Sequence, residues 1–524
     1  MSYLKCSKCK RTAPSVEFGW AGELYGDVFT CTRCGHEFAD FETVYVAEDT
    51  SIYDDYLKYL CDSVFPDKYP EQTQEQRDRL DHELDVITSK GFSAYFLITW
   101  DIMVFAHSNN IPVAPGRGSV MGSMVAYLLD IIELDPLQFD IPFWRFLNHG
   151  RDDMPDIDSD FCYRNRHLII EYVVNKYGEG KVAQIITYGT MMARAVIKDV
   201  SRVFHISDKD AAAAVKEIPE EAETSVTIDE LIELYPGFRD ALSNLRHQDT
   251  GKHMSEVIAV IKRLEGLRRH GSAHAGGVII STEPLVDIVP LYKRGSNSKD
   301  DTIKTQYDMV DLNDLGLLKM DLLGLRTMTV LGDIQELVRR DNPDFSWSNI
   351  SIQDKGALDM IGSGDCTGIF QLEGHGFRAV ARKMAPNRFE DIPVLLALYR
   401  PGPMEFIDEY IARKDGKREP TVPHPDLEPI LLRSYGIIVF QEQVMQIAMK
   451  LAGYNATEAD KFRKAIGKKK KDLLDAELAK FRERANANNY DSSIVDRLVD
   501  SMVTFARYGF NIGHRVSVSL HGDM

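Results

Sequence analysis

The run Asp156-Ile157-Asp158-Ser159-Asp160 is the feature that most restricts the folds open to this chain. Side chains alternate between the two faces of a β-strand, so a strand here would place three carboxylates on one face. Carboxylates crowded in this way repel one another, and a hard divalent cation offsets that repulsion. The run therefore predicts a metal-binding strand, and the alternative for a bare motif of this kind is a solvated polar edge.

Composition and charge exclude several classes of protein. The 524 residues, 44% hydrophobic and 27% charged, are enough for several domains with sizeable cores. No apolar run reaches transmembrane length, and the stretch from Met1 to Cys6 lacks the apolar region of a signal peptide. We therefore expect a cytoplasmic protein with no membrane partner. The net charge of −18 argues against binding nucleic acid over the whole surface, but a local basic groove remains open, for example at Lys468–Lys471.

Four of the seven cysteines form two Cys-x-x-Cys pairs near the N-terminus. Cys6, Cys9, Cys31 and Cys34 can supply four thiolates to one tetrahedral Zn²⁺, with the spacing of a zinc ribbon. A site closed by four thiolates is structural, because no ligand position remains for water. We predict a zinc ribbon over residues 1–48.

The hydrophobic pattern predicts both helices and strands. An apolar helix is expected from Ala94 to Ala106, and a short buried strand at Ile111–Ala114. Further strands are expected at 276–280 and 317–321, whereas residues 190–270 have the pattern of a mostly helical segment. The chain is therefore expected to mix sheet and helix within one fold.

A Gly-rich turn, Pro115-Gly116-Arg117-Gly118-Ser119, follows the predicted strand at Ile111–Ala114 and precedes a predicted helix. Glycine lets the backbone approach a phosphate closely, and a helix N-terminus turns unpaired N–H groups toward it. The Arg117 guanidinium and the Ser119 hydroxyl could add hydrogen bonds. Turns of this type also occur in ordinary loops, so phosphate binding is a hypothesis at this point.

A further carboxylate, Asp321, ends the predicted strand that carries Lys319. Two-metal catalysis needs carboxylates that converge from more than one strand and hold two ions about 3.5–4 Å apart. Lys319 would add positive charge near a reacting phosphate. The alternative for a lone Asp after an apolar strand is a helix N-cap. Arg400, in the rigid turn 399–403, suits a triphosphate contact or else a solvated surface turn.

Taken together, these segments resemble the alpha subunit family of bacterial DNA polymerase III, the C-family replicative DNA polymerases. The resemblance extends in the family's order from about Glu75 to His514. It is carried by residues 91–98, 115–119, 154–161, 186–190, 274–278, 319–327, 368–373, 399–403, 440–445, 467–470 and 508–511.

The resemblance implies an α+β fold in which a nucleotidyltransferase palm, related to that of polymerase beta, carries a helical thumb and helical fingers. The palm would cover residues 60–187 and 273–330, and the thumb would be inserted at 188–272. The fingers, incomplete, would fill 331–515, before a tail at 516–524 that does not follow the family pattern. The zinc ribbon would precede this polymerase fold.

The resemblance also implies roles for individual residues. Asp156, Asp158 and Asp321 match the ligands of two catalytic Mg²⁺ ions, whereas Asp160 matches no direct ligand. The candidates for holding the incoming triphosphate are Arg117, Gly118, Ser119, Arg145, Lys319 and Arg400.

The implied function is that of a template-directed DNA polymerase core, a nucleotidyltransferase of DNA replication that adds deoxynucleotides to a primer 3′ end. The expected partners are primer-template DNA, deoxynucleoside triphosphates and other replication proteins. The family's N-terminal histidinol-phosphatase-like domain and its C-terminal modules have no counterpart in this sequence. We therefore expect one part of a split enzyme with a separately encoded C-terminal fragment, a truncated gene product or a compact form.

Two alternatives stay open at the level of sequence. The chain could be a DNA-binding replication accessory protein without polymerase activity of its own. The zinc ribbon could instead govern partner choice, by docking single-stranded DNA or another replication protein.

Overall fold

The structure, a computed structural model, describes residues 51–151, 154–219, 226–293, 302–347, 350–400, 402–467, 471–506 and 512–513, and the backbone of five short strands before them. These strands are β1 (Tyr3–Lys5), β2 (Thr12–Pro14), β3 (Phe18–Ala21), β4 (Val28–Cys31) and β5 (Glu37–Phe38). Strand β1 pairs antiparallel with β2, and β3, β4 and β5 form a second antiparallel sheet. Cys6, Cys9, Cys34 and the side chain of Cys31 lie outside the described residues, so the zinc ribbon stays a prediction.

The remaining strands are distributed among the helices along the chain. The strands are β6 (Asp158–Cys162), β7 (Val182–Thr190), β8 (Arg268–Ile280), β9 (Leu291–Tyr292), β10 (Lys304–Thr305) and β11 (Leu318–Leu325). The helices of the first half are α1 (Ser51–Lys68), α2 (Gln74–Ser89), α3 (Ser93–Ser108), α4 (Met124–Leu128), α5 (Arg166–Tyr177), α6 (Ala193–Val203), α7 (Asp208–Lys216), α8 (Ile228–Leu234), α9 (Pro236–Ser243) and α10 (Val257–Leu264).

The second half is almost entirely helical. Its helices are α11 (Met309–Asp314), α12 (Arg326–Asp341), α13 (Lys355–Ser363), α14 (His375–Met384), α15 (Asp391–Leu398), α16 (Ile407–Lys414), α17 (Glu428–Leu431), α18 (Gln441–Ala452), α19 (Ala456–Gly467), α20 (Lys471–Ala487) and α21 (Ser492–Ala506). Among the described residues, no helix combines the length and the hydropathy needed to cross a bilayer.

Six strands form one mixed sheet in the order β6-β11-β8-β7-β10-β9. Strands β6 and β11 run parallel, and their register sets Asp321 directly beside Asp158. On its other side β11 pairs antiparallel with β8, where Gly277 is the neighbour of Asp321. The mixed α+β class expected from the sequence is therefore confirmed.

The two faces of this sheet are buried against different partners, as the alternation of side chains along a strand requires. Val278 and Met320 point into the main hydrophobic core, which the surrounding helices share. Ile279 and Ile185 point to the opposite face and pack with Leu285 in a smaller cluster. The main core therefore covers one face of β6, β11 and β8, and the smaller cluster covers the other face at β7 and β8.

Helices α6 to α10 enclose a hydrophobic core of their own between strands β7 and β8. Val196 and Ile197 of α6 pack there with Phe238 of α9 and Ile261 of α10, all fully buried. The apolar residues of these helices recur at three- to four-residue spacing, which aligns them on one face. The insertion is therefore a helical unit with its own interior.

Three local elements differ from the sequence-based expectations. Helix α1 was not predicted from the sequence. The strand predicted at Ile111–Ala114 is a single bridge between Val113 and Phe161 of β6. Proline donates no backbone hydrogen bond, and Pro112 and Pro115 flank that bridge, so the ladder cannot extend. The Gly-rich turn leads first into a short 3₁₀ helix, Gly118–Gly122, and only then into α4.

Candidate active site

Three carboxylates converge where the parallel strands β6 and β11 begin to pair. Oxygen atoms of Asp156, Asp158 and Asp321 all lie within 4.8 Å of one another. Asp158 opens β6 and Asp321 lies beside it on β11, whereas Asp156 comes from the segment before the strand. The expectation of one strand carrying all three motif aspartates is therefore corrected, because β6 begins only at Asp158.

Burial of the three side chains is graded. The side chain of Asp156 is 57% exposed, that of Asp158 24% and that of Asp321 5%. Burial raises the pKa of Asp158 to about 6, with added repulsion from Asp156 and Asp321, while Arg117 opposes the rise. Burial also raises the pKa of Asp156, with Lys319 opposing and Asp321 reinforcing it. The cluster therefore carries its negative charge at a cost, which a bound cation would offset.

Asp321 carries the clearest sign of an additional ligand. Its Oδ2 lies 2.7 Å from the Lys319 Nζ, but its Oδ1 is buried without a hydrogen-bond partner. A buried carboxylate oxygen without a donor is costly, and a coordinated cation would satisfy it. Carboxylate oxygens are the ligands that Mg²⁺ prefers, so this donor set fits a magnesium site.

Two basic side chains contact different members of the carboxylate group. The Lys319 Nζ also lies 3.7 Å from Asp156 Oδ1 and thus lies between two of the acids. Arg117 places its Nε 3.3 Å from Asp158 Oδ2, and its Nη1 donates to Asp160 at 3.2 Å. Asp160 thus holds Arg117 through a salt bridge and is separate from the group of three converging carboxylates.

The Gly-rich turn passes directly above Asp158. Gly118 has φ +73°, and a Cβ added there would lie 3.6 Å from Asp158 Oδ2. Gly116 has φ +118°, and its Cβ would lie 2.6 Å from the Met121 sulfur. Glycine is needed at both positions because the backbone is left-handed there and Gly116 has no room for a side chain. Ser119 follows within the 3₁₀ helix.

The two remaining arginines of the prediction lie in other surroundings. Arg145 is largely buried, with its Nη2 3.3 Å from Gln441 Oε1 and its Nε 3.7 Å from Glu442 Oε1. Burial and the nearby Arg463 lower the pKa of Arg145 to about 10. Arg400 is half-buried after α15, and burial lowers its pKa. The structure thus brings Arg117, Gly118 and Lys319 to the carboxylates, whereas Arg145 lies against α18.

Sequence reasoning assigned no role to two residues that contact the backbone of the site. The buried Tyr95 hydroxyl accepts a hydrogen bond of 3.0 Å from the N–H of Ile157, which lies between Asp156 and Asp158. His274 Nδ1 accepts from the N–H of Gly277, the strand neighbour of Asp321, at 2.7 Å. An accepting Nδ1 puts the proton of a neutral ring on Nε2. The sequence feature that could have indicated a role for Tyr95 is its hydroxyl group, which is polar within the mostly apolar helix α3.

Comparison with known proteins assigns the chain to a family. The sequence model of the bacterial DNA polymerase III alpha NTPase domain matches residues 55–324, and that of the bacterial DNA polymerase III alpha subunit finger domain matches residues 327–489. The chain belongs to the bacterial DNA polymerase III alpha subunit family. The resemblance inferred from the sequence motifs is thereby confirmed.

Individual relatives show the extent of the similarity. The chain is 42% identical over 467 residues to DNA polymerase III subunit alpha of Borreliella burgdorferi, and this alignment covers 89% of this chain and 40% of that protein. It is 43% identical over 470 residues to DNA polymerase III subunit alpha of Bacillus subtilis, and this alignment covers 90% of this chain and 41% of that protein. The chain thus spans about two fifths of the length of these curated relatives.

Proposed function

We propose that the chain is the catalytic core of a template-directed DNA polymerase, which adds deoxynucleotides to a primer 3′ end in DNA replication. The observation that carries the proposal is the convergence of Asp156, Asp158 and Asp321, together with the unsatisfied buried oxygen of Asp321. Family membership supports the same reaction. The substrates would be primer-template DNA and deoxynucleoside triphosphates.

In this proposal the three aspartates hold two Mg²⁺ ions. When bound, these ions would lower the pKa of the primer 3′-hydroxyl and neutralise the triphosphate. The protein's own contribution is positioning and charge, as in phosphoryl transfer generally. Asp158 and Asp321 are fixed by the strand register, and Lys319 sets a positive charge beside both Asp321 and Asp156.

The Gly-rich turn would receive the triphosphate. Gly118 brings the backbone to within contact of Asp158, so a phosphate bound at the turn would lie next to the metal ligands. Arg117 supplies a guanidinium at the same place, held by Asp158 and Asp160. Ser119 adds a hydroxyl, while Arg145 and Arg400 would complete the nucleotide contacts from the side of the helical second half.

The domain assignment follows the same proposal. Residues 60–187 and 273–330 would form the palm, since the mixed sheet draws most of its strand residues from these two ranges; only the end of β7 and the start of β8 lie outside them. Residues 188–272 would form the thumb, which the separate core of α6 to α10 supports. The fingers would follow from 331, in keeping with the finger-domain match at 327–489. A structural Zn²⁺ in the ribbon and a separately encoded partner fragment stay predictions.

Primer extension tests the proposal directly. Asp158→Asn and Asp321→Asn keep the side-chain shape but remove a metal ligand, so each variant should lose extension by at least about a hundredfold while remaining folded. Asp333→Asn is the matched control, since Asp333 is an exposed acid paired with Arg164, 2.8 Å away. Extension by either site variant at the parental rate would overturn the assignment. Primer-template binding by the parent without extension in Mg²⁺ would favour the accessory-protein alternative.

A further inference from the structure

Glu83 is a fully buried carboxylate that lies outside the candidate active site and belongs to none of the predicted site residues. It lies on α2, 40 residues before Ser123 in the chain, yet it contacts the segment that follows the Gly-rich turn. Burying a charged group is unfavourable unless it is paired and hydrogen-bonded. The partners of Glu83 therefore indicate what this buried charge stabilises.

Four donors surround the Glu83 carboxylate, two on each oxygen. Oε1 accepts from Arg79 Nε at 2.6 Å and from the Met124 N–H at 3.0 Å. Oε2 accepts from Ser123 Oγ at 2.9 Å and from the Val125 N–H at 3.1 Å. Ser123 is the N-cap of α4, and Met124 and Val125 are its first two residues. Glu83 thus neutralises the N-terminal end of α4, where unpaired N–H groups collect.

Arg79 extends this contact back to the 3₁₀ helix that begins within the turn. Its Nη2 donates to the carbonyl oxygen of Gly122 at 2.6 Å, and Gly122 is the last residue of the 3₁₀ helix that begins at Gly118. Gly122 also packs so closely that a Cβ there would lie 2.6 Å from the Pro142 carbonyl oxygen. The Glu83–Arg79 pair therefore fixes the C-terminal end of the Gly118–Gly122 segment.

The other end of the turn is fixed by the sheet. The Ala114 N–H donates to the carbonyl oxygen of Asp160 at 2.8 Å, and Val113 bridges Phe161 of β6. The turn is thus held between β6, which carries Asp158, and the Glu83–Arg79 pair on α2. With both ends fixed, the height of Gly118 above Asp158 depends on Glu83.

We propose that Glu83 is a positioning residue that sets the Gly-rich turn over the metal ligands and thereby the affinity for the triphosphate of the incoming nucleotide. The inference rests on the function proposed above for the turn. Glu83 contacts neither nucleotide nor metal in this role and acts through the N-terminus of α4.

The decisive variant is Glu83→Gln. Each carboxylate oxygen has two donors, so the amide nitrogen of Gln must face at least one backbone N–H, of Met124 or Val125, that it cannot accept from. The N-terminus of α4 should then shift and move the turn with it. A displacement of about 1 Å at a reactive site can reduce activity by about a hundredfold. We expect the KM for the nucleotide to rise about tenfold to a hundredfold, with kcat reduced much less.

Asp101→Asn is the matched control. Asp101 is a mostly buried carboxylate on α3 that accepts from Tyr172 Oη at 2.9 Å and pairs with Lys176 of α5. Its loss should lower stability through the α3–α5 contact but leave KM at the parental value. Ser123→Ala, which removes one of the four donors and the cap of α4, should raise KM in the same direction by a smaller factor.

Two readouts keep this test separate from that of the proposed function. The first is primer extension with KM and kcat measured for parent, Glu83→Gln and Asp101→Asn. The second is amide hydrogen exchange of residues 116–126, which needs no activity and should be faster in Glu83→Gln but not in Asp101→Asn. If the parental protein does not extend a primer, the polymerase proposal is refuted. Hydrogen exchange in the parent and Glu83→Gln would still decide whether Glu83 holds the turn in place. Parental KM or parental exchange in a folded Glu83→Gln variant, or an equal KM rise in Asp101→Asn, would overturn the inference.

Discussion

The metal-free carboxylate cluster should destabilise the fold at neutral pH, and removing one of its charges in Asp158→Asn should therefore raise the free energy of unfolding. Burial and neighbouring acids raise the pKa of Asp158 from 3.8 to about 6, even though Arg117 lies 3.3 Å away and opposes the rise. A pKa difference of this size corresponds to about 3 kcal/mol against the ionised form. Asn keeps the shape without the charge, so the variant should gain up to about 3 kcal/mol of unfolding free energy at pH 8.

The sign of the pH dependence follows from the raised pKa. The folded chain retains the Asp158 proton at pH values where the unfolded chain has released it. The contribution is therefore absent below the unfolded pKa near 4, stability falls as pH rises from about 4 to about 6, and no further change follows above that pH. The parent should be less stable at pH 8 than at pH 4, and this difference should be smaller in Asp158→Asn.

Urea unfolding in EDTA, followed by circular dichroism at both pH values, measures these free energies. Saturating Mg²⁺ at a hundred times its dissociation constant should stabilise the parent by about 2.7 kcal/mol and the variant by much less. Asp333→Asn, at an exposed ion pair with Arg164, should follow the parent in both respects. The reasoning fails if Asp158→Asn is less stable than the parent at pH 8 in EDTA, or if Mg²⁺ stabilises both chains equally.

Three further outcomes are expected. Tyr95→Phe should leave the buried N–H of Ile157 without its acceptor, so the free energy of unfolding in urea should fall by about 1–3 kcal/mol. The same variant should bind Mg²⁺ more weakly in calorimetry. An unchanged Mg²⁺ affinity would count against a link between Tyr95 and the carboxylates. Gly118→Ala should strain a backbone at φ +73° by about 1 kcal/mol and raise the KM for nucleotide, so parental kinetics would contradict close backbone approach there. Arg145→Met should destabilise the chain by about 3–5 kcal/mol because Glu442 stays buried, and additional Glu442→Gln should restore most of that loss; a single variant as stable as the parent would show that the buried Glu442 does not depend on Arg145.

The sequence alone was sufficient for those features that depend on local chemistry and on family motifs. The α+β class and the family could be inferred from short motifs with a recognisable residue order, and the same motifs singled out Asp156, Asp158 and Asp321 as candidate metal ligands. The need for glycine at Gly118 was equally open to local reasoning, since a backbone that approaches a phosphate closely leaves no space for a side chain.

The helical insertion was predictable from the periodicity of its apolar residues, whereas the prediction of a strand at Ile111–Ala114 was wrong. Apolar residues at helical spacing indicate a buried face regardless of what covers it. A short apolar run, by contrast, forms a strand only if a neighbouring strand pairs with it through backbone hydrogen bonds. The prolines at 112 and 115 lack the N–H groups that this pairing needs.

Only the tertiary structure decided which charges meet. Sequence order carries no information on strand register, and it is the parallel register of β6 and β11 that sets Asp321 beside Asp158. The same holds for Lys319 beside Asp156, and for Glu83 at the N-terminus of α4. These contacts depend on how distant segments pack, because the electrostatic and hydrogen-bond energies of a side chain are set by its neighbours in space and not by those along the chain.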